Sequence, residues 1–367
     1  MRYLLFLLLA PLPGAAAAEI ALYDWSQAAC TRWDIPDTPA RLWRDEAGVV
    51  LLAGSERSRI SVGPSLDALT RDCDVLHEGR GDPDPQAHDG RVWIHATWAH
   101  DDGKVEGLGH VEYHGHETDL CAADTYLACW RNSIVGLVRQ DDGTFARTGE
   151  APVAALPYSY DPGQRRRTGY FNPSNILRQG GHLHVFVFAE AHGAQRRGAC
   201  LLRRRLDGGP WMAWDGAGFG ARLSGLAGPV RGDTCAPVAG VASTLSSVVH
   251  DGQGGFLAVT ARTVDGVSGI WLQRSDDLLD WRAPDLLAAL PLLWRRDCAA
   301  PAVYAYPSLI APASRSRNFD TIEGEVWLSA VRMPLGPDCT VGPERDLVAW
   351  RLRSTDEGGL ALAEPVP

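Results

Sequence analysis

Short alternating runs of apolar and polar residues, each closed by a polar turn, dominate this chain. Ile270-Trp271-Leu272-Gln273-Arg274-Ser275 gives way to Asp276-Asp277, and Trp281 follows four residues after Asp277. The same order recurs. Asp207 precedes Trp211, and Asp142 precedes Phe145 after the apolar run Ile134–Val138. Asp67 and Asp356 mark two fainter copies. The five copies fall at a spacing of roughly seventy residues, the signature of a radially repeated sheet.

The unit has a physical basis. An Asp at a turn accepts hydrogen bonds from backbone N–H groups two or three residues on, which locks a hairpin. The aromatic behind it packs between neighbouring sheets. A four-stranded sheet cannot bury both faces alone and must stack on the next. The pattern therefore predicts an all-β fold, a five-bladed β-propeller of four-stranded antiparallel blades. Ordinary hairpins of a β-sandwich are the alternative. A second regularity places a proline at each expected blade opening: Pro39, Pro85, Pro173, Pro237 and Pro307. Proline is tolerated at the first residue of a strand, so side chains near these prolines are expected to converge on one mouth of a central channel.

The ends and the cysteines locate the protein. Arg2, the apolar run Leu4–Leu9 and the small residues Ala15–Ala18 read as a secretory signal peptide over residues 1–18, too short to span a bilayer. Residues 19–367 are then one propeller domain. All 8 cysteines lie beyond the signal. An even count in an exported chain predicts disulfides and a periplasmic or extracellular site. Neighbours in sequence offer one economical set: 30–73, 121–129, 200–235 and 298–339. No CxxC motif supports zinc or redox chemistry. The net charge of −10 argues against nucleic acid as a partner. The arginine runs at 165–167, 196–197 and 203–205 read as solvated loops. No cofactor or catalytic metal is expected, a structural calcium is left open, and a monomer is expected.

Paired carboxylates are what glycosidic cleavage needs. Asp37 and Asp84 stand near expected strand starts. Glu112 lies inside a strand with His110 and His114 two residues away on either side, so all three share a face. A strand interior seldom carries Glu without a reason. We therefore take Asp37, Asp84 and Glu112 as the catalytic candidates. Arg41, His114, Tyr170, Asn175, Glu190, Gln195, Tyr306 and Arg317 are candidate contacts to a carbohydrate. Each carboxylate also has a plain structural role available, as a turn cap or as polarity on a half-exposed strand.

The strand opening Asp37-Thr38-Pro39-Ala40-Arg41, the turn Ser275-Asp276-Asp277-Leu278 with Trp281, Tyr306-Pro307-Ser308-Leu309-Ile310, and Ser316–Asp320 before Val326-Trp327-Leu328 resemble the five-bladed arabinanase, xylosidase and fructosidase propellers. In those enzymes a first-blade Asp is the general base, a later Asp tunes its pKa and a Glu is the general acid. The resemblance implies Asp37 as the base. The third-blade position here is Asn172, and no clear fourth-blade Glu is present, so Asp84 and Glu112 would substitute. A glycoside hydrolase is the leading expectation. A non-catalytic propeller that binds a glycan or an envelope protein is the main rival, and a lyase is a third.

Overall fold

A computed structural model of the protein describes residues 19–363, apart from 124, 150, 228, 229 and 356–358. The expected signal segment and the repeat at Asp356 lie outside the described residues. Strands dominate. Among the described residues the only helical turns are Trp25–Ala28 and the 3-10 turn Gly115–Glu117.

The strands pair as successive antiparallel meanders. The first comprises Arg41–Asp45, Gly48–Leu52, Ile60–Gly63 and Thr70–Arg71. The second comprises Arg91–Ala99, Val105–His114, Trp130–Arg139 and Phe145–Arg147. The third begins with Thr168–Phe171 and Leu177–Gln179, then runs through His182–Ala189, Gly198–Arg205, Gly208–Trp214 and Phe219–Ala221. Thr168–Phe171 also lies parallel to Trp130–Arg139, which joins the second and third meanders. The fourth is Ser247–His250, Phe256–Val264, Val267–Ser275 and Asp285–Ala289. The fifth is Ala302–Ile310, Val326–Pro334, Asp346–Ser354 and Leu360–Leu362, and the N-terminal strand Ile20–Tyr23 shares its outer edge.

The core lies between meanders. Trp43 and Leu52 of the first pack with Ile94 and Leu137 of the second. Leu108 and Ile134 meet Tyr170 and Val185 of the third. Phe186 and Leu201 meet Val248 and Phe256 of the fourth, and Val259 and Leu272 meet Leu328 and Trp350 of the fifth. The fifth then packs back on the first through Val303, Trp327, Leu42 and Leu51. Burying apolar area between flat neighbours in this way is the driving force for stacking.

The turn chemistry read from the sequence is present. The Asp277 carboxylate accepts bonds from the amides of Leu279 and Asp280 at 2.8 and 2.9 Å. Behind it, the buried Trp281 ring meets Phe186 of the third meander edge-on at 5.7 Å. Asp142 accepts the Thr144 amide at 2.9 Å, and Phe145 packs into the cluster around Trp43. The proline regularity is only partly kept. Pro39, Pro173 and Pro307 stand at leading strands, but Pro85 sits inside the turn Asp84–Ala87 and the fourth meander starts at Ser247, beyond Pro237.

Arg41 is the hub of the molecule. Its guanidinium donates to the carbonyl of Ala40 at 3.2 Å, of His95 at 2.6 Å, of Pro173 at 3.2 Å and of Ser246 at 2.8 Å, and to the Ser308 hydroxyl at 3.4 Å. These five groups lie in or beside the leading strand of each meander in turn. Burial alone pulls the Arg41 pKa down, to about 9. Arg41 was expected to touch sugar; it is instead a buried cross-tie, because a guanidinium with five donors can satisfy several inward-facing carbonyls at once.

Disulfides join 30–73, 121–129, 200–235 and 298–339. By strand register, all four lie toward the end of the molecule at which the leading strands begin, here called the upper end.

Candidate functional site at the upper mouth

The segment that enters the first meander delivers Asp37 to the upper end, with its amide bonded to the Gly54 carbonyl at 3.3 Å. Its carboxylate forms an ion pair with Arg345, at the entrance to the strand Asp346–Ser354, and the Tyr306 hydroxyl is hydrogen-bonded to it as well. Its side chain is 23% exposed. Burial pushes the Asp37 carboxyl up, Arg345 opposes this, and the charge of Glu112 adds to the rise. Burial together with the Asp37 charge drives the Tyr306 phenol well above its ordinary value. Two carboxylates and a phenol from three meanders therefore meet at a single mouth.

Glu112 reaches this mouth from the strand Val105–His114. His110, Glu112 and His114 do share a face, as the alternation predicts. One Glu112 oxygen is 2.9 Å from His114 Nε2, and the other is 4.0 Å from His110 Nε2. The His114 ring stacks on Trp130 at 3.9 Å, so His114 holds Glu112 in place and is not free to bind a ligand. The Asn132 amide donates to the Thr168 carbonyl at 3.3 Å, which leaves its oxygen to accept from His110 Nε2 at 3.1 Å. Burial pulls His110 down, so it stays neutral near pH 7.

A cavity of about 610 Å³ opens beside Glu112, lined also by Asn172, Glu190, Trp294 and Tyr306. A second, of about 370 Å³, shares Asn172, Thr244, Trp294 and Tyr306 with it. Asn172 and Tyr306 both hold left-handed backbone, at φ 44° and 57°. Non-glycine residues pay strain there and persist where surrounding structure demands it. Trp294 is 71% exposed on the wall common to both cavities, which offers a sugar ring an apolar platform. Glu190 lies between Arg167 and Arg197, at 3.3 and 2.9 Å.

Other candidates lie elsewhere. Asp84 caps an exposed turn, accepting the Gln86 amide at 2.8 Å; it lines neither cavity. Tyr170 is fully buried and donates to Gln195 Oε1 at 2.7 Å, while the Gln195 amide bonds the Cys235 carbonyl at 3.3 Å. Asn175 exchanges two bonds of 2.7 Å with the Val248 backbone and ties the third meander to the fourth. Arg317 bonds the Arg44 carbonyl at the opposite mouth, at 3.3 Å. These polar side chains satisfy backbone or buried partners, which leaves them little to offer a ligand. Arg345 and Trp294 were missed, having no local motif. The arginine run 165–167 was read as a solvated loop, yet it lines the larger cavity. His116 lies near Cys121 and Cys129, but their sulfurs are joined in a disulfide and offer no thiolate to a metal.

No family model and no curated protein matches the sequence. Solved structures do. An endo-1,5-α-L-arabinanase from Thermotoga petrophila superposes with a TM-score of 0.55 at 12% identity, over 90% of this chain and 74% of that one. A thermostable family-43 glycoside hydrolase gives 0.52 at 12%, over 94% and 96%. A xylan β-1,4-xylosidase from Bacillus halodurans gives 0.52 at 11%, over 93% of this chain and 58% of that chain, so the present chain spans little more than half of that enzyme. At such identities the likeness is one of fold.

Proposed function

We propose that this chain, which folds as the family-43 glycoside hydrolases do, is a secreted five-bladed β-propeller over residues 19–367 that cleaves a glycosidic bond at its upper mouth. The blades are the five meanders cross-tied by Arg41. Residues 1–18 serve as its export signal; four disulfides accord with an oxidising compartment. No helix among the described residues is long and apolar enough to cross a membrane.

The observation that carries the reading is that Tyr306, hydrogen-bonded to Asp37, lines one cavity with Glu112, which brings the two carboxylates to the same mouth. In the proposed mechanism Asp37 accepts a proton from water or attacks carbon, with Arg345 and Tyr306 fixing its orientation. Glu112, held by His114, delivers a proton to the leaving oxygen. Which of the two routes applies depends on the carboxylate separation in the substrate complex, about 5–5.5 Å for retention and about 6.5–9.5 Å for inversion. Trp294 would carry a sugar ring, and Asn172 would bond its hydroxyls.

The test is a screen of purified protein against aryl glycosides and polysaccharides, repeated with Asp37→Asn and Glu112→Gln. Each change should lower turnover by about 10²–10⁴-fold. Turnover that survives both would discard the assignment. Asn172, where the related enzymes carry an Asp, favours the second reading, a propeller that binds glycan without cleaving it. Binding of an oligosaccharide by wild-type protein with no product formed would establish that reading instead.

A further inference from the structure

The larger cavity has the wrong charge for its protein. The chain carries a net charge of −10, yet the cavity wall sets Arg165, Arg166, Arg167 and Arg197 against Glu112 and Glu190. Glu190 is shared by Arg167 and Arg197. Those two guanidiniums also lie over the rings of Phe171 and Phe188, at 4.7 and 4.8 Å, which fixes their direction. Arg165 and Arg166 have no carboxylate within ion-pair reach among the described residues. Two uncompensated guanidiniums beside a third and a fourth repel one another, and an anion placed among them relieves that repulsion. Arginine suits the task because its planar donors match a carboxylate or sulfate in pairs.

We infer that the cavity takes an anionic glycan, with a sugar carboxylate or sulfate ester seated on Arg165 and Arg166 beside the Glu112 side of the mouth. This rests on the carbohydrate reading above and narrows it to a charged substrate class. The cavity shares Trp294 and Tyr306 with its neighbour, so a sugar held by its charge on the arginine wall extends toward the aromatic platform. A nucleic acid would meet the same wall but also the strongly acidic remainder of the chain.

Titration calorimetry on the Asp37→Asn protein, in which turnover is slow enough for binding to be read, tests the inference. The probes are a uronate oligosaccharide, a sulfated oligosaccharide and neutral arabino- and xylo-oligosaccharides. At least one anionic probe should bind about ten-fold or more tighter than the neutral ones, and its affinity should fall as salt rises. The uronate and sulfate arms tell the two sources of charge apart. Adding Arg165→Gln and Arg166→Gln, both at exposed positions, should erase the preference and leave neutral binding unchanged. Equal binding of neutral and anionic probes, a preference that survives the double change, or no binding at all overturns the inference. Wild-type turnover separates it from the hydrolase reading. An acidic glycan bound but uncleaved sinks hydrolysis alone, and neutral glycans cleaved without preference sink the charged substrate alone.

Discussion

Arg345 holds Asp37 in an ion pair across 308 residues of sequence. The pair joins the entry to the first meander with a loop of the fifth. Its removal should act on chemistry more than on folding. Arg345→Gln is expected to lower kcat with a small change in the urea midpoint. Because Arg345 is the largest influence opposing the burial-driven rise of Asp37, the acidic limb of the activity profile should also move to higher pH in the variant. An unmoved limb would show that Asp37 does not set it.

Arg41 should prove a stability residue. Arg41→Leu takes a donor from the carbonyls of His95 and Ser246, whereas those of Ala40 and Pro173 keep a partner in the Ser308 hydroxyl and the His95 ring. An unsatisfied buried polar group costs about 1–3 kcal/mol, so two of them should cost about 2–6 kcal/mol. A urea midpoint within experimental error of wild type would remove the cross-tie from this account.

Buried histidines predict a loss of stability in mild acid. Burial pulls His88 down to about 3 and His184 to about 4 from 6.5, and lowers His95 and His110 too. Below pH 6.5 the unfolded chain takes up protons that the folded chain refuses. Folding free energy therefore falls as pH drops from 6.5 toward 4, by about 1.4 kcal/mol per pH unit for each histidine that stays neutral. Urea midpoints across that range should decline, and His88→Gln should flatten the decline. A flat wild-type profile would contradict the burial of these rings.

The 298–339 disulfide joins the loop after Trp294 to the loop before Arg345. Paired Cys298→Ser and Cys339→Ser changes should cost about 2–4 kcal/mol of stability. They should also raise KM, since both loops shape the rim. A lowered midpoint with unchanged KM would mean that the bridge serves the fold and not the site.

How much could be read from the sequence depended on how local each cause is. Asp277 and Trp281 were legible because the turn and its aromatic are made by residues four apart. Glu112 with His110 and His114 was legible because strand alternation alone puts them on one face. Arg41 was not. Its type and position suit a sugar contact equally well, and only the convergence of distant carbonyls on it decides the matter. Asp84 resembles Asp37 in local sequence, both lying beside prolines, but its backbone turns outward and its carboxylate caps that turn. Tyr170, Gln195 and Asn175 looked available because partners such as Cys235 and Val248 lie dozens of residues away. The arginines at 165–167 were set aside on the net charge of the chain, a sum that carries no information about any one wall.

The Arg41 cross-tie grips peptide carbonyls at four of its five contacts, and a carbonyl is the one group every amino acid supplies. The residues that follow each grip can therefore be exchanged by mutation without loosening the centre. A lineage built on such a hub can redraw its mouth for new ligands while inheriting the same frame.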